Sequence, residues 1–233
     1  SYSAIILALL RMKLPASAYE AHPASGRIGL GASLEVATAL PAVRYLLPTV
    51  VALGLFATPY VHLMPSIVST FFDGRSSTVG LLMGSGGLGA FLSAAYLSMQ
   101  PGIYRQIRLV SIAPVLVGLA LIAFSVSRSL PLSMLCLATL GACIMLTSNT
   151  TNALLQQSAP EDWRGRVIGL YTMAFAGTAP LGNLLAGFIA SKIGLTLTLA
   201  ANGALILIAA FIGRQRLHHH PEAMRAIVRQ TRG

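Results

Sequence analysis

Charged residues are missing from six long stretches of this chain. Asp, Glu, Lys and Arg are absent from Leu46 to Phe72, Ser76 to Tyr104, Leu109 to Ser127, Ser129 to Pro160, Val167 to Ser191 and Ile193 to Gly213. Crossing about 30 Å of hydrocarbon at 1.5 Å per residue takes roughly 20 residues of helix, and each run is near or above that length. None of them alternates strictly between apolar and polar positions, which excludes a β-barrel, the only other closed structure that lipid allows. The pattern predicts an all-α integral membrane protein with six transmembrane helices.

Composition agrees. Of 233 residues only 9% are charged and 55% are hydrophobic, where an ordinary soluble domain is about 25% charged. The net charge of +10 would suit nucleic acid if the basic residues clustered, but they are spread thinly between uncharged runs, so no nucleic-acid partner is expected. They mark topology instead. If the segment before Leu46 is cytoplasmic, every Lys and Arg except Arg75, Arg128 and Lys192 falls on that side. The positive-inside rule then places the C-terminus in the cytoplasm and the protein in the inner (plasma) membrane. Cys136 and Cys143 would stand about 10 Å apart along one helix, too far for a disulfide. No Cys/His spacing suggests a metal, His218 to His220 lack a carboxylate or cysteine partner, and no cofactor is expected.

The rest of the chain is organised around the spans. Residues 1–13 place ten apolar residues, about 15 Å of helix, before Arg11 and Lys13, and read as the end of a preceding transmembrane helix in a longer chain. Residues 14–45 have the Pro/Gly/Ala/Ser composition of a cytoplasmic loop, with an interfacial helix expected over Leu34–Tyr45. Residues 46–213 form the bundle and 214–233 a basic tail. In that tail Met224, Ile227 and Val228 share one face and Arg225, Arg229 and Arg232 another. This fits a helix lying on anionic lipid or a solvated tail.

Several residues stand out. Gly84, Gly86 and Gly89 spell G-x-G-x-x-G, but no strand precedes them and the run is a membrane span, so the reading is helix packing, with Gly80 and Gly84 as a G-x-x-x-G contact. His62 is the one titratable His, Lys, Arg, Asp or Glu well inside a span. Such a group is a functional candidate by default, the alternative being a histidine bonded to a neighbouring backbone carbonyl. Thr58, His62, Pro65 and Ser69 fall within about 60° of helical arc. Pro48, Pro59, Pro65, Pro114 and Pro180 lie within spans, as in kinked transporter helices and in some static bundles. In the fourth span Asn149, Asn152 and Gln156 share a face, continuing Ala142 and Met145. Amides left against lipid would each cost on the order of one to several kcal/mol, so this stripe turns inward, either to a cavity or to neighbouring helices. In the loop PEDWRGR, Glu161 and Asp162 suit a helix N-terminus, and Trp163, Arg164 and Arg166 suit the headgroup layer. That composition fits a hinge or an ordinary interfacial turn.

The stretch TSNTTNALLQQSAPEDWRGRVIGLYTMAFAGTAPLGNLLAGFIASKIG, Thr147 to Gly194, resembles the tenth and eleventh helices of the major facilitator superfamily, in the branch of the enterobactin exporter. The resemblance extends to the whole chain, as the end of helix six, a central loop and helices seven to twelve. It implies the C-terminal six-helix half of a major facilitator fold. The loop SMQPGIYRQIR departs from the family in lacking an acidic residue, keeping Arg105 and Arg108. What the resemblance implies is a secondary active exporter of a small amphipathic molecule such as a siderophore or drug, working by alternating access, proton-coupled, and not an enzyme. The cavity candidates are Thr58, His62, Met145, Asn149, Asn152 and Tyr171; the gating candidates are Gln156, Glu161, Arg164, Arg166, Arg105 and Arg108. The expected partners are substrate, the lipid bilayer and an N-terminal half or second copy. The rival classes are a membrane-embedded enzyme, for instance one pairing Ser85 with His62, and a non-transporting scaffold.

Overall fold

The structure, a computed structural model, describes residues 40–99 and 102–219, without the side chains of Pro41 and residues 216–219. The expected half-span at 1–13, nearly all of the 14–45 connection and the tail after Pro221 lie outside the described residues. The described residues form helices only: α1 (Pro41–Ala52), a π-helical turn (Leu53–Ala57), α2 (Pro59–Phe71), α3 (Ser76–Ser98), α4 (Ile103–Val126), α5 (Leu130–Ser158), α6 (Glu161–Ala176), α7 (Ala179–Ile193) and α8 (Leu195–His219). Six helical stretches are long and apolar enough to cross a membrane, α1 with α2 making the first and α6 with α7 the fifth. Successive spans reverse direction. Arg44, Arg105, Arg108, Arg164, Arg166 and Arg214 therefore gather at one end, the basic end, while Asp73, Arg75, Arg128 and Lys192 mark the far end.

Five boundaries differ from the uncharged runs by five or six residues, all at the basic end: the second span ends at Ser98, α8 continues to His219, and three starts come earlier. The first span's helix starts at Pro41 and runs through Tyr45 without a break; residues 34–39 of the expected interfacial helix lie outside the described residues. Pro41 sits in the first turn, where its missing N–H leaves nothing unsatisfied. The third span starts at Ile103 and the fifth at Glu161, because charged residues that interrupt an apolar run are well tolerated in the first turns of a helix. Glu161 and Asp162 complement the N-terminal dipole there.

Two spans are interrupted, and for identifiable reasons. Pro59 lacks an N–H and its ring would clash with the carbonyl four residues back, that of Leu55. The α-helical ladder cannot pass, and the chain inserts a π turn closed by the Thr58 amide on the Leu53 carbonyl at 3.2 Å. The Thr58 hydroxyl donates to the Gly54 carbonyl at 2.7 Å. In the fifth span the break falls at Gly177–Thr178, just before Pro180 in the first turn of α7.

Backbones meet closely where glycine removes the side chain. On α3, a Cβ on Gly89 would strike the Ala138 carbonyl, and one on Gly141 of α5 would strike the Gly86 carbonyl. The second pair of the G-x-G-x-x-G therefore makes the contact with α5. Gly80 and Gly84 make no such contact among the described residues: a Cβ on either would meet nothing within 4 Å. α4 and α8 cross in the same way, with Gly118 and Gly203 each 2.8 Å from the other's carbonyl by the same measure.

The buried side chains form two clusters. The larger, including Leu53, Met64, Leu82, Val117, Leu140 and Leu199, fills the bundle from its middle to the far end. The smaller, at the basic end, joins Val43, Leu46, Val110, Leu154, Leu155 and Val167, with Trp163 packed against it. On α5 the gap between them is occupied by polar residues, Thr147 to Asn152. Cys136 and Cys143 are buried and free.

Candidate translocation face

The exposed side chains of most spans are aliphatic or aromatic, such as Leu88, Phe91 and Leu92 on α3, Leu116 and Leu119 on α4, and Leu184, Leu185 and Phe188 on α7. Against lipid tails such residues cost nothing. α2 is different. Its exposed residues are His62, Pro65, Ser66, Ser69 and Thr70, while Tyr60, Met64, Ile67 and Val68 are buried on its other side. Pro65 is the one apolar side chain among the exposed residues. The sequence-predicted stripe of His62, Pro65 and Ser69 is thus present, but Thr58 is half-buried at its edge with its hydroxyl spent on its own helix. Ser66 and Thr70 were missed. At about 100° per residue they stand some 40° and 80° from His62, just wide of the narrow arc first drawn. Both the Ser69 and Thr70 hydroxyls donate to the Ser66 carbonyl, at 3.0 and 2.7 Å.

The second polar patch is on α5. Asn149 is exposed, while Met145, Asn152 and Gln156 are half-buried, and the Gln156 amide donates to Asn152 Oδ1 at 3.0 Å. Around the same turn Thr147, Ser148, Thr150 and Thr151 are buried. Thr147 donates to the Cys143 carbonyl at 2.7 Å, whereas the hydroxyls of Ser148, Thr150 and Thr151 have no hydrogen-bond partner among the described residues. Tyr171 of α6, half-buried and stacked on Phe175 with centroids 6.4 Å apart, donates its hydroxyl to the Ser148 carbonyl at 3.0 Å. Tyr171 and the α5 amides are thereby brought to one depth. His62 belongs to a separate patch, since α2 packs against the π turn, α3, α7 and α8, and α5 against α1, α3, α4 and α6.

The gating candidates lie at the basic end. Arg105, Arg108, Glu161, Asp162 and Arg164 are exposed and Arg166 is half-buried, around the smaller hydrophobic cluster. At the far end Arg128, not singled out from sequence, spans three connections. Its guanidinium lies 3.9 Å above the Phe71 ring and donates at 3.0 Å to the Ser125 and Ser127 carbonyls and to Thr196 Oγ1. In the α2–α3 connection Asp73 Oδ1 accepts from the Thr78 hydroxyl at 2.7 Å and the Arg75 amide at 3.1 Å. These bonds hold its carboxyl below the usual carboxylate range, the Thr78 bond contributing most. Ser85 is buried and donates to the Leu82 carbonyl at 2.7 Å, so its hydroxyl is engaged within α3 and not with His62. Among the described residues no group of three or more His, Cys, Asp or Glu could hold a metal.

A bundle of six spanning helices with interrupted helices and an exposed polar face within one span is the architecture of a membrane transporter. The chain belongs to the transmembrane secretion effector family of major facilitator transporters, whose sequence model matches residues 1–230. It is 24% identical over 159 residues to macrolide efflux protein A of Streptococcus pyogenes, a match covering 66% of this chain and 38% of that protein. To the multidrug efflux pump Tap of Mycolicibacterium fortuitum it is 28% identical over 178 residues, covering 73% of this chain and 43% of the pump. The matches thus span well under half the length of these curated relatives. No solved structure matches the chain.

Proposed function

We propose that the bundle is the C-terminal half of a proton-coupled major facilitator exporter that carries an amphipathic organic molecule of the macrolide or multidrug type out of the cell. The basic end faces the cytoplasm in this reading, and the C-terminal tail with it. A further six-helix unit, an N-terminal half or a second copy, completes the cavity. The two units rock about a site near the bilayer midplane.

One observation carries the reading: apart from Pro65 the exposed residues of α2 are polar, and His62 and Ser66 among them lie at a depth where lipid would demand aliphatic side chains. A face of this kind suits a water-filled path between two helical units. Asn149 supplies a neutral hydrogen-bonding contact for substrate, Met145 an adaptable apolar one, and Asn152 with Tyr171 backs them. The inner gate consists of Gln156 and the arginine-rich loops at Arg105, Arg108, Glu161, Arg164 and Arg166. The efflux relatives favour a drug over a siderophore as cargo.

The test is expression from the chain's own gene in a bacterial host stripped of its drug exporters. The expected outcome is lower accumulation of erythromycin, reversed by a protonophore. Unchanged erythromycin accumulation together with increased release of a catechol siderophore would move the substrate assignment to the siderophore class.

A further inference from the structure

Resting on the exporter reading, we propose that His62 is the proton-carrying group of this bundle. Its imidazole takes up one proton from water at the far end and releases one to water at the basic end, while substrate moves the opposite way. No other bond is made or broken, and each cycle returns the neutral ring.

The geometry singles this residue out. Among the described residues it is the only His, Lys, Arg, Asp or Glu lying more than about two helical turns from the end of a span. It stands about 8 Å from the middle of the first span and about 14 Å from Phe71, within the hydrocarbon depth. An ionisable side chain at that depth must meet water or a partner in at least one protonation state. Apart from Pro65, the exposed face around it offers water-compatible groups: Ser66 one turn away, then Ser69 and Thr70. Hydroxyls of this kind keep acceptor capacity after donating, and the Ser69 and Thr70 hydroxyls donate to the Ser66 carbonyl. The face therefore accommodates both a neutral imidazole and an imidazolium.

The elements packed against α2 bring no competing charge to it. The π turn has none. On α3 the titratable side chain is Tyr96, at the basic end. On α7 it is Lys192, at the far end, with its Nζ 5.9 Å from the Phe188 ring. α8 carries Arg214 and the residues after it, again at the basic end. On α2 itself Tyr60 is buried on the opposite side, and Asp73 and Arg75 lie beyond its end, ion-paired at 3.5 Å. Histidine is also the side chain whose ordinary charge change falls near physiological pH.

Two measurements on inside-out vesicles separate proton coupling from substrate binding. One is uphill erythromycin uptake driven by a proton gradient; the other is exchange of labelled for unlabelled erythromycin without a gradient. With His62→Asn, uphill uptake should fall to the level of uncoupler-treated membranes, while exchange stays within about two-fold of wild type. Retained uphill uptake overturns the assignment. Loss of both activities at normal abundance also overturns it, by making His62 a substrate contact. Wild-type protein that moves neither erythromycin nor a catechol siderophore in either assay refutes the exporter reading and this assignment with it. Should His62→Asn fail to accumulate in the membrane, His62→Gln is read by the same criteria, and failure of both variants to insert marks a structural histidine and overturns the proposal.

Discussion

Thr178 stands where a side chain on Gly54 would go. A Cβ built on Gly54 runs into the Thr178 hydroxyl and comes within 2.7 Å of the Phe175 carbonyl, and one on Gly182 runs into the Leu55 carbonyl. The π turn forced by Pro59 is thus seated in the break that precedes Pro180. Two interruptions that would each weaken a lone helix support one another, and the spans that carry them bend at a shared point.

Gly54→Ala should therefore destabilise the protein by about 1–3 kcal/mol, the usual range for overpacking a tight contact. Thermal melting in detergent measures it. Adding Thr178→Ala should recover part of the loss, because one of the two obstructing groups is removed and the Phe175 carbonyl remains. A double variant no more stable than Gly54→Ala alone would show that the hydroxyl does not limit the approach.

The glycines of α3 offer a sharper contrast. Gly89→Ala pushes a methyl into the Ala138 carbonyl and should cost about 1–3 kcal/mol or more. Gly84→Ala adds a methyl where nothing lies within 4 Å and, by favouring helix, should be neutral or stabilise by about 0.5–1 kcal/mol. Parallel melting curves decide, and equal losses would contradict the packing described.

Much of this architecture is visible in the sequence, and the failures are local. Uncharged runs locate six spans because lipid penalises charge along most of a helix. They misplace the starts of the first, third and fifth spans, because the penalty lapses at the headgroups, where Arg44, Arg105 and Glu161 sit. Pro59 announces a kink, but nothing in the composition of Leu53–Ala57 distinguishes a π turn from an α-helical one. Gly80, Gly84, Gly86 and Gly89 all read as packing residues, yet which side of α3 meets α5 depends on where the partner helix crosses. His62 and Ser69 could be placed on one face by periodicity. That Ser66 and Thr70 extend the polar face follows only from the burial of Tyr60, Met64, Ile67 and Val68.

Tyr171→Phe keeps the ring on Phe175 and removes only the bond to the Ser148 carbonyl. A loss of about 0.5–1.5 kcal/mol is expected, with slower erythromycin efflux. Asn149→Leu, at an exposed position, should abolish efflux with the melting temperature close to wild type. A large drop in melting temperature for Asn149→Leu would show that this amide packs the bundle and does not meet substrate.

Arg128→Ala should loosen the far end. It removes the contact with Phe71, worth about 0.5–1 kcal/mol at an exposed site, and the bond to Thr196. A double-mutant cycle with Phe71→Leu measures the ring contribution directly. Strict additivity of the two variants would show that the stacking adds no energy.

Asp73 ties stability to acidity. Its folded-state pKa lies below the unfolded value, so its contribution is present at pH above the ordinary carboxylate value. That contribution fades as pH falls through about 4 and on through the lowered folded value. Asp73→Asn should flatten this part of the melting-temperature profile, and Thr78→Val should flatten most of it, since the Thr78 bond is the leading cause. A profile unchanged in both variants would place the acid sensitivity elsewhere.

The two hydrophobic clusters also set an order of assembly during synthesis. The smaller one draws on α1, α4 and α5 but includes Val167 of α6, and the larger one includes Leu199 and Ile206 of α8. A nascent chain that has inserted only as far as α5 can close the glycine crossing with α3, yet neither cluster is complete. The first span meets its seat at Thr178 and Gly182 only after the fifth has entered the bilayer. Until then Pro59 leaves α1 and α2 joined by a π turn whose seat has not yet arrived.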